Sequence, residues 1–138
     1  MSGLVLDIAS GTTGSASIVV GDEHTAHSVG SGKIYVLATP VMINLIEAAA
    51  LAACEHLLPA GHQSLGTRLD VSHVAATPVG MRATATAEVL AVEGRIVRFR
   101  VTAHDERDLI GEGTHERVVV NAERYCQRVQ EKAALIKP

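Results

Sequence analysis

One long apolar segment limits what this chain can fold into. Drawn as a helix, the residues from Thr39 to Leu58 are apolar around almost the whole circumference, and Glu47 is the only charge between Lys33 and Glu55. Pro40 suits the first position of a helix and Thr39 the N-cap before it, while Pro59 and Gly61 end the pattern. The polar residues inside the segment argue against a transmembrane span. We therefore predict a helix that is buried by surrounding protein.

Strand-like segments surround this helix in the sequence. One is expected near residues 15–20, followed by a loop at 21–33, and four more follow the helix at about 64–75, 81–92, 95–104 and 109–121. The alternation in the later segments and Glu93-Gly94 between two of them predict an antiparallel sheet with one buried face. A last helix is expected from Asn121 to about Ile136. The class is α+β, with residues 1–138 as a single domain in which a curved sheet wraps the long helix.

A sheet of this size covers only part of such an apolar helix, so we expect a homodimer. The net charge of −3 and an aromatic content of 2% argue against a nucleic-acid partner, and no membrane partner is expected. Two cysteines without CxxC spacing indicate a reducing compartment. Residues 1–9 carry Asp7 and no basic segment, so we predict a cytoplasmic protein without a signal peptide.

Three polar residues occupy positions where the pattern calls for apolar ones. His73 is predicted to face the helix, Glu47 lies in the middle of the apolar helix, and Thr39 lies at its start. Each also has a purely structural interpretation: a satisfied core histidine, a buried ion pair, and an N-cap. The helix-facing residues predicted on that strand are Leu65, Thr67, Leu69, Val71, His73 and Ala75.

The spacing of these residues permits a joint site. Thr39 and Glu47 are eight residues apart, about 12 Å along a helix. An imidazole that hydrogen-bonds at both ring nitrogens, together with the lean of Glu47 toward the helix start, could bridge this gap. The result would be an orienting acid, a base and a hydroxyl in the order Glu47, His73, Thr39. His24 and His27 have HxxH spacing but no further ligands nearby, so no metal site is expected.

Four blocks of sequence together resemble one known family. These are residues 38–47 (ATPVMINLIE), 64–67 (SLGT), 71–78 (VSHVAATP) and 111–117 (GEGTHER). The chain resembles, over about residues 15–130, the fluoroacetyl-CoA thioesterase-like branch of the hotdog-fold thioesterases. The resemblance implies a hotdog fold, a homodimer or a dimer of dimers, and hydrolysis of an acyl-CoA thioester. No cofactor is implied, because coenzyme A enters as part of the substrate.

The resemblance also implies roles for individual residues. Thr39, Glu47 and His73 would form the catalytic group, the backbone N–H of Gly66 would lie near the thioester carbonyl, and Arg117 would lie near the ligand. His115 is expected to be a plain surface histidine. This chain has only one phenylalanine, Phe99, and therefore lacks the phenylalanine lid of the fluoroacetyl-specific enzyme, so we expect a different short acyl group.

Two other functions fit the same pattern less well. A hotdog hydratase or dehydratase also needs an acid–base pair, but the order of threonine, glutamate and histidine and the GTHER block favour a thioesterase. A non-catalytic acyl-CoA-binding module would normally carry an output domain, for which the chain offers no segment.

Overall fold

The apolar helix lies at the centre of the molecule. The computed structural model describes residues 4–136, so the ends of the predicted domain, residues 1–3 and 137–138, lie outside the described residues. Helix α2 spans Thr39–Cys54 and continues as a 3-10 turn, Glu55–Leu57. By length and mean hydropathy, 1.3, the stretch Thr39–Leu57 could cross a bilayer. Its apolar face instead packs against a sheet, with Met42, Ile46 and Ala49 fully buried.

Five antiparallel strands form one sheet around this helix. They are β1 (Thr13–Val19), β2 (His62–His73), β3 (Arg82–Glu93), β4 (Ile96–Asp105) and β5 (Leu109–Asn121), in the order β1-β3-β4-β5-β2. The predicted loop at 21–33 contains a 3-10 turn, Asp22–His24, and the short helix α1, Ala26–Val29. Helix α3, Ala122–Ala133, follows β5 and is capped by the side chain of Asn121. The α+β prediction is confirmed.

A β-bulge in β2 changes which residues face the helix. The pairing with β5 shifts between Gly66 and Arg68, so that Gly66 lies opposite Arg117 but Leu69 lies opposite His115. Paired residues share a face of the sheet, and the extra residue of a bulge reverses the alternation. The inward residues are therefore Ser64 and Gly66 before the bulge and Leu69, Val71 and His73 after it. The prediction was correct for Leu69, Val71 and His73 and wrong for Leu65 and Thr67, which point outward. Ala75 lies beyond the end of β2.

Gly14 allows β1 to approach the backbone of α2. A Cβ atom at Gly14 would collide with the backbone nitrogen of Ala53 and would lie 2.6 Å from the carbonyl oxygen of Ala49. Helix backbone cannot move aside as a flexible side chain can, so overpacking should cost about 2–3 kcal/mol. We predict that Gly14→Ala lowers the melting temperature by roughly 10 °C in a thermal unfolding experiment.

The control for this substitution is Gly32→Ala. The nearest neighbour of a Cβ atom at Gly32 is the Ala26 side chain at 3.4 Å, an ordinary contact distance. This variant should change the free energy of unfolding by no more than about 0.5 kcal/mol. Equal stability of the two variants would contradict the close approach of β1 to α2.

Candidate functional site

Thr39 and His73 meet where α2 begins and β2 ends. The Thr39 Oγ1 atom lies 2.7 Å from Nδ1 of His73. Thr39 is the first residue of α2 and Ala38 is the N-cap, so the predicted N-cap at Thr39 is wrong by one residue. Ala38 has no side-chain hydrogen bond that could cap the helix. The hydroxyl of Thr39 is therefore not used for capping, and its partner is an imidazole from the facing strand.

Backbone hydrogen bonds fix the start of the helix. Ala38 N donates to His24 O at 2.9 Å, and Leu37 N donates to Thr77 O at 2.9 Å. The fully buried Thr77 in turn donates through Oγ1 to Asp105 at 2.9 Å. The segment before α2 is thus tied to the segment that follows β2, which holds the Thr39 and His73 side chains in one position relative to each other.

His73 is suited to accept a proton. Burial lowers the pKa of His73 below its ordinary value of 6.5, and the backbone of Ala75 only partly offsets this effect. A neutral ring can accept the Thr39 hydroxyl proton at Nδ1, in which case Nε2 carries the ring hydrogen. Nε2 is buried and has no hydrogen-bond partner among residues 4–136. A buried donor of this kind calls for an acceptor.

A cavity of about 340 Å³ adjoins this pair. Thr39 and His73 line it together with Ser31 of the segment that follows α1. The remaining lining side chains are small or apolar: Ala26, Val36, Leu37, Val74, Ala75 and Ala76. The reactive pair therefore borders a space that can receive a small, largely apolar group.

Glu47 belongs to a second cluster of polar residues. Its Oε2 atom lies 3.4 Å from Nη1 of Arg117, and a side chain at Gly66 would collide with the same carboxylate. Gly66 and His73 are seven residues apart on β2, roughly 20 Å along a strand. No hydrogen bond or ion pair joins Glu47 to His73 among the residues that the structure describes. The structure thus brings Thr39 to His73, and Glu47 to Gly66 and Arg117, but it does not join the two groups within one chain.

His115 was expected at the surface, and that prediction is wrong. Its side chain is 1% exposed and stacks against Phe99 at 5.9 Å between ring centroids. Nδ1 of His115 lies 2.8 Å from the carbonyl oxygen of Arg68, and Nε2 lies 3.2 Å from Nη1 of Arg117. The GTHER alternation already placed His115 on the same face as Arg117, and that shared face was the signal for its inward position.

His24 and His27 have other roles in the fold. Nδ1 of His24 accepts a hydrogen bond from Gly21 N at 2.9 Å, while the ring of His27 stacks on Tyr35 at 4.4 Å between centroids. Within residues 4–136, no group of three or more histidine, cysteine or acidic side chains could hold a metal ion.

Comparison with known proteins gives one consistent answer. The family model described as fluoroacetyl-CoA-specific thioesterase, FlK, matches residues 20–123. The fluoroacetyl-CoA thioesterase of Streptantibioticus cattleyicolor is 47% identical over 97 residues, which cover 70% of each protein. A phenylalanine-to-alanine variant of FlK, solved in complex with fluoroacetate and CoA, is 39% identical with a TM-score of 0.81, covering 86% of this chain and 99% of that one.

A more distant structure has the same fold. A thioesterase superfamily member from Thermus thermophilus is 29% identical and superimposes with a TM-score of 0.84, covering 94% of this chain and 98% of that one. The hotdog fold is thereby confirmed. The chain belongs to the fluoroacetyl-CoA-specific thioesterase family of hotdog-fold acyl-CoA thioesterases.

Proposed function

We propose that the protein hydrolyses a short acyl-CoA thioester to a free acid and coenzyme A, with Thr39 and His73 at the reacting carbonyl. The observation that carries the proposal is the 2.7 Å hydrogen bond between Thr39 Oγ1 and His73 Nδ1 beside a cavity. The family relationship supplies the thioester as the bond that is broken.

The two side chains can perform each proton transfer of the reaction. His73 takes a proton from the Thr39 hydroxyl or from a water molecule, and the resulting oxygen nucleophile attacks the thioester carbonyl. The C–S bond then breaks, and the proton held by His73 passes to the departing thiolate. Both routes end in the acid and the free thiol, and the first passes through an acyl-threonine that water hydrolyses.

We further propose that the enzyme is a homodimer joined through β2. This strand has 12 residues and lies at an edge of the sheet, and residues 66–70 on it are exposed. Helix α2 packs mainly on β1 and β3, which lie toward the edge of the sheet opposite β2. A long edge strand offers unpaired backbone groups, which a second copy of the same strand can satisfy.

Antiparallel pairing of two β2 strands would bring the two polar groups together. A two-fold axis near Asp70 places the end of β2 that carries His73 beside the partner's bulge at Gly66. The partner's Glu47 adjoins that bulge, and its carboxylate could accept the hydrogen bond of His73 Nε2. The partner's Gly66 would then offer its backbone N–H to the thioester oxygen. The proposed catalytic group of Thr39, His73 and Glu47 is thus completed across the interface.

The acyl group is proposed to be short and different from fluoroacetyl. Phe99, the one phenylalanine, is fully buried in β4 against His115. The only aromatic side chain in the segment before α2 is Tyr35, which is 61% exposed and stacked on His27. With no phenylalanine near the cavity, selection has to come from its small aliphatic walls, which discriminate between acyl groups weakly.

The experiment is a thiol-release assay on acetyl-, fluoroacetyl-, propionyl-, butyryl-, benzoyl- and phenylacetyl-CoA, with His73→Ala protein in parallel. We expect turnover of at least one short member by the wild-type protein alone. Coenzyme A binding without turnover would overturn the hydrolase proposal in favour of a ligand-binding module. Turnover of fluoroacetyl-CoA far above every other member would overturn the proposed acyl preference.

The pKa of His73 gives a test of the interface that does not depend on turnover. Burial favours the neutral ring and lowers the pKa, whereas a carboxylate at Nε2 favours the protonated ring and raises it. We therefore predict that Glu47→Gln shifts the His73 titration midpoint, measured by NMR, to a lower pH than in wild type and below 6.5. An unchanged midpoint in this variant would contradict a contact between His73 and Glu47.

Cytoplasmic location and the absence of a cofactor remain proposals. Within the described residues both cysteines are free, Cys54 in the core and Cys126 on α3. Free cysteines suit a reducing compartment. The mass of the native protein in solution distinguishes a dimer from a dimer of dimers.

A further inference from the structure

The carboxylate of Asp105 joins the turn between β4 and β5 to the segment that follows β2. Its Oδ1 atom accepts hydrogen bonds from Arg107 N at 2.8 Å and from Asp108 N at 2.7 Å. Its Oδ2 atom accepts from the hydroxyl of Thr77 at 2.9 Å. Each oxygen therefore serves a different part of the fold, and a single side chain ties the two parts together.

Asp105 is negatively charged at neutral pH, so both of its oxygens act as acceptors. Burial raises the pKa of this carboxyl, but the hydrogen bonds from Asp108 N, Arg107 N and Thr77 and the charge of Arg107 together outweigh that effect. The pKa therefore lies below its ordinary value of 3.8. An amide at this position would have one acceptor oxygen and could not serve the turn and Thr77 at the same time.

Thr77 transmits this anchor to the segment that precedes α2. It is fully buried, and its carbonyl oxygen accepts from Leu37 N at 2.9 Å, two residues before Thr39. Val36 also forms a β-bridge with Pro78, the residue after Thr77. Val36 and Leu37 line the cavity together with Thr39. The wall of the cavity that leads into Thr39 is therefore attached to Thr77.

Thr77 also anchors the opposite wall, which leads back to His73. Residues 74–76 connect His73 to Thr77 and line the cavity. Val74 N donates to Ile110 O at 2.7 Å, but within the described part of the chain the two residues that follow make no backbone–backbone hydrogen bond. The position of this wall beyond Val74 therefore depends on Thr77.

We infer that Asp105, acting through Thr77, is a positioning residue for the proposed reaction. The inference rests on the proposed function, in which His73 takes a proton from Thr39 or from a water molecule. Both walls of the cavity meet at Thr77, and the buried hydroxyl that fixes it has Asp105 as its acceptor. This anchor keeps the Thr39 hydroxyl at hydrogen-bond distance from His73, 2.7 Å. Reacting groups that are held in this way lose rate when they are displaced by about 1 Å.

The first test removes only the hydrogen-bonding group of Thr77. Thr77→Val keeps the branched shape of the side chain but cannot donate to Asp105, whereas Thr77→Ser retains the hydroxyl. We expect Thr77→Val to lower kcat on the order of 10- to 100-fold with little change in KM, because Thr77 does not itself line the cavity. Thr77→Ser should keep kcat near the wild-type value.

Asp105→Asn tests the acceptor of the same hydrogen bond and should lower kcat in the same direction. Added to Thr77→Val, it should lower kcat further by less than about twofold, because the amide oxygen can then remain with the turn. The matched control is Glu106→Gln in the same turn. Glu106 accepts from Arg82 N at 2.7 Å, a contact that leads to the start of β3 and not to the cavity, so this variant should keep wild-type kcat.

The nitrogen NMR signal of His73 Nδ1 reports the geometry of the pair without turnover. In the neutral ring this atom accepts from the Thr39 hydroxyl, and the signal changes when that hydrogen bond is lost. Thr77→Val should therefore move the signal away from its wild-type position, and Thr77→Ser should not. Thermal unfolding of each variant measures any general loss of stability separately.

Wild-type kcat in Thr77→Val would overturn the inference, and so would a loss of kcat that Thr77→Ser shares. A lower melting temperature of Thr77→Val with an unchanged His73 signal would overturn it as well, because Asp105 and Thr77 would then only stabilise the fold. Wild-type kcat in His73→Ala would instead refute the proposed function. The nitrogen signal of His73 would still decide, in that case, whether Asp105 holds the pair together.

Discussion

Replacing His73 by alanine should lower kcat for the preferred acyl-CoA by roughly 100- to 10 000-fold, the range for loss of a general base. The substitution removes the acceptor that lies 2.7 Å from the Thr39 hydroxyl, and no other titratable side chain hydrogen-bonds that hydroxyl within the described residues. The remaining activity would come from substrate binding and from backbone donors at the carbonyl oxygen. The measurement is steady-state thiol release by the purified protein.

The fold should tolerate this loss. His73 is only half-buried at the end of β2, and the group that it leaves unpaired in its own chain, the Thr39 hydroxyl, is exposed to water. His104→Ala is the matched control, because His104 is an exposed histidine on β4. If His73→Ala lost the native fold and His104→Ala did not, the core-histidine interpretation would replace the catalytic one.

Glu47→Gln should lower kcat by about 100-fold or more, as expected when an orienting acid is replaced by its amide. The carboxylate is proposed to accept from Nε2 of the partner's His73 and so keep Nδ1 free to take the Thr39 proton. An amide can donate to that nitrogen and stabilise the wrong tautomer. Steady-state kinetics on the substrate identified by the acyl-CoA panel provide the measurement.

The control for Glu47→Gln removes the same charge elsewhere. Glu112 is exposed on β5, and its side chain makes no ion pair among residues 4–136. Glu112→Gln should retain wild-type kcat. Wild-type kcat in Glu47→Gln as well would mean that the acid serves only the buried pair with Arg117.

The polar residues of the site were visible in the sequence because each interrupts an apolar pattern. Glu47 inside an apolar helix and His73 on an inward strand face are both expensive to bury, so they stand out by position. Thr39 carries no such signal, since a threonine before a proline is also a good N-cap. The capping role of Thr39 is excluded only by the observed start of α2, which places the N-cap at Ala38 and leaves the Thr39 hydroxyl free for His73.

Other features could not be read from one chain's pattern. No feature of the sequence marks the bulge at residues 66–68. An interpretation that assumes strict alternation therefore assigns Leu65 and Thr67 to the wrong face. His115 was assigned to the surface because histidine is common on solvated strands, although the GTHER alternation placed it on the face of Arg117. Its burial follows from the packing of β5 against β2, where Nδ1 of His115 lies 2.8 Å from the carbonyl oxygen of Arg68. These errors arise because the deciding contacts join residues that are 47 to 53 positions apart along the chain.

The separation between Glu47 and His73 has a different cause. The distance of about 12 Å along the helix separates Thr39 from Glu47, and it does not say which His73 lies between them. On β2, Gly66 beside Glu47 and His73 are roughly 20 Å apart. Sequence spacing cannot show whether a two-fold axis brings opposite ends of two β2 strands together. The sequence thus leaves open whether the pair lies within one chain or crosses the interface, and we propose that it joins two chains.

Mixing the two inactive variants tests the interface most directly. His73→Ala and Glu47→Gln proteins are unfolded together, refolded and assayed for thiol release beside each variant refolded alone. A site that crosses the interface would regain about one quarter of wild-type activity, because half of the dimers are mixed and each mixed dimer has one intact site. Activity no higher than that of the separate variants, with mixed dimers shown by mass spectrometry, would contradict a shared site.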